Sequence, residues 1–375
     1  APSGPDRSYA TPLDGVTRIA VLRSNALGDY LMATPALAAL RGAYPQAWVV
    51  LVGARWHAAF LDGRPGPVDE VAVLPQVAGL AGQPPGAPPA AELDGFLSAL
   101  RARRFDLALQ LHGGGGASNP LVAEFGARCT AGLRADGAPA LDRWAPYRYY
   151  QPETERFLEA TALVGADGPA RLPRLTVLAA EHEQAARLLP GDGPWVALHP
   201  GATDPRRRWP AERFAAVADQ LVADGVRPVL VGAADERPVA DAVLAAARCA
   251  PLDLTGATDL GGLAGVLARC ALVVADDSGP LHLAHAVGTP IVGLYWCGNA
   301  INAAPARRAT ARPLLSWTVL CPECGTDCTP AGHPHRVGEG CEHRPSFLTQ
   351  IPVAEVLDEA RDLLGIGAPP AGTPR

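Results

Sequence analysis

The sequence predicts an α/β protein made of two Rossmann-like domains that face each other across a central cleft. Apolar segments of strand length alternate with longer segments of helical period in both halves of the 375-residue chain. The strand segments are continuous apolar runs, as in parallel sheets covered by helices on both faces. The alternation restarts after a Pro-rich connector near residue 175, which predicts two parallel sheets with right-handed crossovers.

The first half contains the pattern of one such domain. Strands are predicted at "TRIAVLR", "AWVVLVG" and "FDLALQLHG", and helices at "PALAALRGAYP", "AAELDGFLSALRARR" and "YQPETERFLEATALVGA". A stretch rich in Pro and Gly over 62–90 predicts a surface loop around the short strand "EVAVLP". We place a loose tail at 1–15 and this domain at 16–172.

The second half repeats the order. Strands are predicted at "WVALHPG", "RPVLVGA", "PLDLTG", "ALVVADD" and "PIVGLYW", and helices at "PAERFAAVADQLVADG", "ERPVADAVLAAA", "LGGLAGVLARC" and "GPLHLAHAVG". We place this domain at 173–350, with a cysteine cluster over 321–341. A closing helix, "VAEVLDEARDLLG", and a loose tail are predicted within 351–375.

Composition excludes several classes of protein. A net charge of -6 argues against a nucleic-acid-binding protein, which needs a basic surface. We find neither an apolar run long enough to span a bilayer nor a secretory signal, so we expect a cytoplasmic protein without a transmembrane segment. All 32 basic residues are Arg, so Arg stands at positions where relatives can use Lys.

Polar residues follow several of the predicted strands. Asp29, His112, His199 and Asp277 each lie just past a strand end. Ligands of open α/β sheets bind beyond the carboxyl ends of the strands, so these residues predict a binding site.

The stretch "LHPGATDPRRRWP" is typical of a phosphate site. A turn of small residues lets backbone N–H groups approach an anion, and three consecutive Arg add charge and bidentate hydrogen bonds. A solvated basic loop is the alternative. The candidate residues for binding a phosphate-bearing ligand here are His199, Gly201, Ala202, Thr203, Arg206, Arg207 and Arg208.

The stretch "VVADDSGPLHLAHAVGTP" favours a diphosphate at a helix N-terminus. Asp277, Ser278 and Gly279 open a helix whose N–H groups and dipole attract anions, and His282 lies one turn in. A well-capped helix with an exposed His is the alternative. Of the neighbouring Asp276 and Asp277, only one side chain can address the cleft, which argues against a divalent-metal pair.

Asp29 lies in "LRSNALGDYLMATPAL", where a strand runs into a helix. It is either an N-cap or a general base that accepts a proton from an attacking hydroxyl. Thr34-Pro35 offers a second cap, so the helix is expected to begin there and to leave Gly28-Asp29 as a loop. Arg23 and Ser24 precede it as candidate acceptor contacts.

The stretch "LQLHGGGGASNP" follows another strand. Its glycines allow a tight turn and a close approach of the backbone to a ligand. His112, Gly113, Ser118 and Asn119 are candidate acceptor contacts, and a flexible surface loop is the alternative.

Four cysteines cluster near the C-terminus. Cys321, Cys324, Cys328 and Cys341 have the spacing C-x2-C-x3-C-x12-C, with His333, His335 and His343 nearby. This spacing is compatible with a structural zinc site, and an iron–sulfur cluster or a disulfide pair remain alternatives.

Taken together, these segments resemble glycosyltransferase family 9, the ADP-heptose:lipopolysaccharide heptosyltransferases. "RSNALGDYLMATPAL" is similar to the family's "S-x-L-G-D…T-x-P-A-L" element. "LHPGA…RRRWPAERFA" is similar to its "H-P-G-A…K-x-W-P…F" element. The segment from "LTGATD" to "GTPIVGLY" is similar to the one that ends in "D-T-G-x-x-H-x-A-x-A-x-G-x-P".

The resemblance implies a GT-B fold and an inverting, metal-independent transfer of a heptose or similar sugar from an ADP-sugar. Position by position, Asp29 matches the proposed base and Arg207 matches a Lys that contacts the donor phosphates. Asp277, Ser278, Gly279 and His282 match the donor loop. The chain departs from the family at two positions, with Arg for Lys at 207 and Ser for Thr at 278.

The resemblance implies no cofactor for catalysis. Because the use of Arg alone suggests a GC-rich genome, and many such bacteria make no lipopolysaccharide, we expect the acceptor to be another envelope glycan or a small natural-product scaffold. An alternative is a non-transferase protein on the same scaffold, such as a sugar-nucleotide epimerase or a carbohydrate-binding regulator. Peripheral contact with a membrane and the oligomeric state stay open.

Overall fold

The structure is a computed structural model that describes residues 11–80, 90–169, 172–191, 193–305, 307–329 and 341–366. The chain divides into two compact units, Ala1–Thr176 and Val177–Arg375. This division lies four residues after the predicted boundary between 172 and 173.

The first unit is built on a parallel sheet with the strand order β3-β2-β1-β4-β5-β6. Its elements in chain order are β1 (Arg18–Leu22), α1 (Leu27–Ala43), β2 (Trp48–Gly53), α2 (Arg55–Leu61), β3 (Glu70–Val73), α3 (Ala90–Ala102), β4 (Leu107–Gln110), α4 (Ser118–Ala123), β5 (Cys129–Arg134), β6 (Arg143–Pro146) and α5 (Glu153–Ala162). Strands β1, β2 and β4 are almost wholly buried, which explains their continuous apolar sequence.

The second unit repeats this architecture with the strand order β12-β11-β10-β7-β8-β9. Its elements are α6 (Ala179–Leu188), β7 (Trp195–His199), a 3-10 turn (Pro205–Arg207), α7 (Ala211–Ala223), β8 (Arg227–Leu230), a 3-10 turn (Ala234–Glu236), α8 (Arg237–Ala246), β9 (Leu252–Asp253), α9 (Leu260–Arg269), β10 (Leu272–Asp276), α10 (Gly279–Ala286), β11 (Ile291–Trp296), α11 (Cys297–Ala303), β12 (Ala311–Ser316) and α12 (Val353–Leu364). The predicted α/β class with two parallel sheets is confirmed.

Helix α1 begins earlier than the sequence predicts. It begins at Leu27, so Asp29 lies in its first turn and Thr34-Pro35 lies inside the helix. The expectation of a Gly28-Asp29 loop was wrong. Pro35 has no N–H to offer the carbonyl of Leu31, and the Thr34 hydroxyl donates to that carbonyl instead, at 2.7 Å. This side-chain hydrogen bond lets a capping pattern sit within a continuous helix.

Several elements had no clear signal in the sequence. Strand β6 is half-buried throughout, and its short "RWAP" lacks an apolar run. Helix α4 occupies Ser118–Ala123, where no helix was predicted. Short or edge elements bury too few side chains to impose a period, so pattern alone misses them.

Each unit has its own apolar core between its sheet and its helices. In the second unit, Val356, Leu357 and Ala360 of α12 join the core that covers one face of the sheet. The predicted closing helix is therefore part of this unit. No helix in the described residues is long and apolar enough to cross a membrane. The predicted tails fall largely on residues 1–10 and 367–375, outside the described residues.

Candidate active site

The candidate donor residues of the second unit follow neighbouring strands. Strand β7 pairs in parallel with both β8 and β10, so the segments that follow all three strands emerge at one edge of the sheet. His199 ends β7, Glu236 lies in the turn after β8, and Asp277 follows β10. The topology thus brings residues from three distant parts of the sequence to one place.

His199 links the segments after β8 and β10. Its Nε2 lies 3.1 Å from Glu236 Oε2, and its Nδ1 lies 3.0 Å from Ser278 Oγ. A carboxylate only accepts hydrogen bonds, so Nε2 carries the proton and donates to Glu236. The imidazole is thereby fixed in one orientation at the strand ends.

Glu236 is a site residue that the sequence did not reveal. Burial alone would raise its pKa, but the hydrogen bond and charge of His199 and the N–H of Ala233 hold that pKa below its ordinary value. A Cβ on Gly201 would lie 1.9 Å from Glu236 Oε1. Gly201 therefore makes room for the Glu236 carboxylate, a proximity that the sequence alone does not reveal.

The second contact pair joins Arg207 to Asp277. Arg207 Nη1 lies 3.3 Å from Asp277 Oδ2, and the other oxygen of Asp277 lies 3.1 Å from His282 Nε2. Asp277 and His282 are nearly buried, whereas the guanidinium of Arg207 is partly exposed. The Asp277 carboxylate at the end of β10 therefore contacts two side chains, Arg207 and His282.

The three consecutive arginines take different directions. The Arg206 guanidinium is buried and forms an ion pair with Asp204, with its Nη2 2.6 Å from Asp204 Oδ2. Arg208 donates from Nε to the carbonyl of Ala202 at 2.8 Å. Arg207 is the one directed to Asp277. The assignment of Arg206 and Arg208 as donor contacts stays a prediction, and the structure gives both side chains bonds within the turn.

The two neighbouring aspartates face opposite sides of the strand end. Asp276 is fully buried and accepts from the backbone N–H of Trp209 at 3.0 Å. Burial raises the pKa of Asp276 well above its ordinary value. Only Asp277 reaches the other candidate site residues, and Asp276 instead fastens the start of α7 to the end of β10.

Helix α10 begins beside these residues. Ser278 occupies the N-cap position, and its Oγ lies 3.0 Å from His199 Nδ1 and 2.9 Å from the carbonyl of Asp276. When Nδ1 is unprotonated, the single hydroxyl proton is donated to one of these two acceptors at a time. Pro280 has no N–H, so the first-turn N–H groups at this end are those of Gly279 and Leu281, and the helix dipole there favours an anion. Thr203 is exposed on the facing turn, and Ala202 is buried beneath it.

In the first unit, Arg23 is the centre of a buried polar cluster. Its Nη1 donates to the carbonyl of Leu111 at 2.7 Å, and its Nη2 lies 3.1 Å from Asp29 Oδ1 and 3.4 Å from Glu153 Oε1. The guanidinium also stacks 4.5 Å from the centre of the Phe157 ring. Arg23 was predicted to contact the acceptor, and the structure places it behind Asp29.

Asp29 is the partly exposed member of this cluster. Its side chain keeps about a third of its surface accessible, with 35% exposed against 1% for Arg23. Oδ2 accepts from the N–H of Ala26 at 3.3 Å, so Asp29 also stabilises the first turn of α1. The carboxylate is oriented from behind and open in front, as a general base requires.

Glu153 and Arg156 extend this cluster, and neither was predicted from the sequence. Arg156 Nη1 lies 2.7 Å from Glu153 Oε2, and Arg156 is almost completely buried. Four charges of alternating sign thus run from Asp29 through Arg23 and Glu153 to Arg156. The pair lies in the first turn of an amphipathic helix, where charged residues usually face solvent, so the sequence carried little signal.

His112 and Ser24 lie side by side at the ends of β4 and β1. The N–H of Ser24 donates to His112 Nδ1 at 3.2 Å, which places the ring proton of neutral His112 on Nε2. The structure brings these two predicted acceptor contacts together within the unit that holds Asp29.

Ser118 and Asn119 are turned inward. Ser118 Oγ donates to the carbonyl of His112 at 2.8 Å, and Asn119 Nδ2 donates to the carbonyls of Leu133 and Pro139. Gly113 and Gly115 adopt φ values of 69° and 92°, which favour glycine. The two polar side chains stabilise the glycine loop, and their direct contact with an acceptor stays a prediction.

The cysteine cluster forms in part as predicted. The ligand atoms of Cys321, Cys324, Cys341 and His343 all lie within 4.8 Å of one another. Cys328 is buried beside Cys341 and interacts with its side chain, but its Sγ is not one of the four mutually close ligand atoms and lies 3.5 Å from the carbonyl of Thr326. His333 and His335 lie outside the described residues. The group can hold a metal ion.

The comparisons with known proteins point to one family. The model of glycosyltransferase family 9 (heptosyltransferase) matches residues 95–311. The chain is 28% identical to lipopolysaccharide heptosyltransferase 2 of Escherichia coli K12, over 92% of this chain and 98% of that relative. It is 33% identical to lipooligosaccharide heptosyltransferase 2 of Haemophilus influenzae over a shorter stretch, 34% of this chain and 40% of that relative.

Solved structures share the fold. The family 9 glycosyl transferase from Veillonella parvula matches with a TM-score of 0.76 and 23% identity, over 94% of this chain and 98% of that one. The heptosyltransferase WaaC of E. coli with ADP matches with a TM-score of 0.60 and 22% identity, over 80% and 93%. These matches confirm the GT-B fold class. Since the family model covers more than half of the chain, the chain belongs to glycosyltransferase family 9 and is a glycosyltransferase.

Proposed function

We propose that this glycosyltransferase moves a heptose, or a closely similar sugar, from an ADP-sugar to an acceptor hydroxyl with inversion at the anomeric carbon. The observation that carries the proposal is the convergence of Arg207, His282 and the N-terminus of α10 at the ends of β7 and β10. A cation and free helix N–H groups in one place suit a diphosphate. The WaaC structure holds ADP, which supports an adenine nucleotide.

In this proposal, the second unit binds the donor. Arg207 pairs with the diphosphate, and the N–H groups of Gly279 and Leu281 hydrogen-bond its oxygens. Thr203, on the exposed turn after β7, is a further hydroxyl contact. Asp277 orients Arg207 and His282, while His199 and Ser278 fix the turn to the start of α10. Because Arg207 and the helix dipole neutralise the leaving ADP, the transfer needs no metal ion.

The first unit supplies the base. Asp29 accepts the proton of the attacking hydroxyl as its oxygen bonds to the anomeric carbon. The bond from that carbon to the phosphate oxygen breaks, and its electron pair leaves with ADP. Attack opposite the leaving group inverts the configuration. Arg23 holds the Asp29 carboxylate in place at 3.1 Å and keeps it oriented.

The acceptor is proposed to contact His112 and Ser24, which lie together at the strand ends beside Arg23. Gly113 lets the backbone come close to it, and Ser118 and Asn119 shape the loop that follows. An envelope glycan and a small natural-product scaffold are both acceptors of the required type. We place the reaction in the cytoplasm, where thiols such as those of Cys129, Cys249 and Cys270 stay reduced.

Calorimetric titration with ADP, UDP, GDP and dTDP tests the donor, in buffer without added metal and again with Mg²⁺. We expect ADP to bind most tightly, with the same affinity in both buffers, and Arg207→Ala to weaken it at least tenfold. Arg187→Ala, an exposed Arg of α6, is the matched control. Preference for UDP or dTDP contradicts the ADP-sugar donor, and equal affinity in Arg207→Ala contradicts the phosphate role.

A further inference from the structure

The cysteine cluster has the dimensions of a tetrahedral metal site. Cys324 Sγ lies 3.6 Å from Cys341 Sγ, and Cys341 Sγ lies 3.6 Å from His343 Nδ1. In a tetrahedral site with metal–sulfur and metal–nitrogen bonds of about 2.3 and 2.1 Å, two sulfurs are about 3.8 Å apart and a sulfur and a nitrogen about 3.6 Å. These two distances are therefore those expected around one central ion, and all four ligand atoms lie within 4.8 Å of one another.

The fourth ligand differs from the one that the cysteine spacing suggests. His343, not Cys328, completes the group with Cys321, Cys324 and Cys341. His343 Nδ1 faces the sulfurs, and its Nε2 lies 3.5 Å from Glu323 Oε2. A carboxylate beside the outer nitrogen of a metal-binding histidine fixes the ring and raises the basicity of the inner nitrogen. Glu323 is in the position for that role.

The segment after His343 is fastened to the turn that carries Arg207. The N–H of Phe347 donates to the carbonyl of Arg206 at 2.7 Å, and Ser346 Oγ donates to the carbonyl of Arg208 at 2.5 Å. Trp209 Nε1 donates to the carbonyl of Ile351 at 3.0 Å. The backbone on both sides of Arg207 thus rests on the segment that begins at the cysteine cluster.

We propose that Cys321, Cys324, Cys341 and His343 bind one tetrahedral ion of the Zn²⁺ type, and that this ion holds segment 341–351 against the turn and so positions Arg207. The ion joins two parts of the chain, since Cys324 and Cys341 are seventeen positions apart. Metal binding free energy of this kind acts as local folding free energy. His343 is therefore a positioning residue. Only the expected effect on donor affinity rests on the proposed function of Arg207; the metal site itself does not.

Metal content by mass spectrometry, on protein expressed without a metal-binding tag, tests the ligand set. We expect about one zinc per chain in the wild type, in Cys328→Ser and in Cys129→Ser, the last being a cysteine of the first unit. Cys324→Ser and His343→Ala are expected to lose most of the metal. Metal-free wild type, or loss in Cys328→Ser with retention in His343→Ala, would overturn the proposed site. Iron in place of zinc overturns the assignment of the ion.

Hydrogen exchange tests the coupling without any ligand. In His343→Ala and Cys324→Ser, amides of the 204–209 turn are expected to exchange about tenfold faster than in the wild type, while those of α9 keep their rates. Ser346→Ala, which leaves all four ligands in place, is expected to keep its zinc and still speed exchange in the turn. Unchanged exchange after metal loss overturns the coupling.

Titration with ADP separates this inference from the proposed function. With the coupling intact, loss of the metal is expected to weaken ADP binding about tenfold, because Arg207 is no longer held in place. If the wild type does not bind ADP, the donor proposal fails, and the metal content and exchange rates still decide the metal site. If metal-free protein binds ADP as tightly as the wild type, Arg207 does not depend on the ion and the positioning role is overturned.

Discussion

Arg207 lies 3.3 Å from the carboxylate of Asp277, so the cation proposed to meet the donor phosphates is already paired with an anion. Asp277 is nearly buried and is shared with His282 on its other side, so it cannot move far. The pair therefore fixes one edge of the guanidinium and leaves the remaining N–H groups for a ligand. A planar, five-donor group can serve two partners in this way.

This geometry predicts that Arg207→Lys will be a poor replacement. A Lys ammonium keeps the charge, but it cannot hold Asp277 with one edge and a phosphate with the other. We expect its Kd for ADP to rise by about three- to tenfold, which is less than in Arg207→Ala. Titration calorimetry measures this. If Arg207→Lys binds ADP as tightly as the wild type does, the positive charge alone suffices and the planar shape of the guanidinium does not matter.

Asp29→Asn should separate chemistry from donor binding. The amide keeps the size of the side chain and can still accept from Ala26, but it cannot take a proton from the acceptor. We expect kcat to fall between about 100-fold and 10,000-fold with ADP affinity unchanged. Turnover of the ADP-sugar with an acceptor provides the measurement.

Asp62→Asn, an exposed carboxylate of the same unit, is the matched control and should keep wild-type turnover. A fall in ADP affinity in Asp29→Asn as large as the fall in turnover would mean that the residue supports structure or donor binding and is not the base.

The sequence predicted the parts of the site that follow strands directly. Asp29, His199 and Asp277 could be found because a buried apolar run ends just before each of them. Glu236 could not, because its role depends on the missing Cβ of Gly201, and that proximity exists only in the folded chain. His343 and Cys328 show the same limit, since the spacing of cysteines does not reveal which side chain turns toward the others.

The buried His57 side chain should make the folded protein less stable in mild acid. Burial lowers its pKa from 6.5 to about 3, its ring stacks 3.7 Å from Trp56, and its Nε2 lacks a partner among the described residues. Between about pH 6.5 and 3, the His57 imidazole is protonated in the unfolded chain and neutral in the folded chain. Unfolding free energy should therefore fall as the pH is lowered through that range, by at most about 1.4 kcal/mol per pH unit.

His57→Asn should remove this part of the pH dependence. Its side-chain oxygen can replace Nδ1 as acceptor for the N–H of Ala54, so the local hydrogen bond is retained. Urea unfolding at pH 7, 6, 5 and 4 should give a flatter profile for this variant than for the wild type or for His182→Asn, an exposed histidine. Parallel profiles for all three would show that His57 titrates normally.

Glu236 changes stability with pH in the same direction as His57, but at lower pH. Its folded pKa lies below 4.5, so its contribution is complete above the unfolded value and is lost as the pH falls through the folded pKa. Glu236→Gln should therefore lower stability at neutral pH by about 1 kcal/mol and lose the corresponding acid-induced decline below about pH 4.5. Glu212→Gln, an exposed glutamate of the same unit, should behave as the wild type does.

Gly201→Ala gives an independent test of the same contact. The new methyl group would occupy the space of Glu236 Oε1, so the carboxylate must leave His199. The variant should then reproduce the stability loss of Glu236→Gln, and the double variant should lose no more than either single one, because both remove one interaction. Additive losses in this cycle would mean that Gly201 is needed for its own backbone and that the His199–Glu236 contact contributes little.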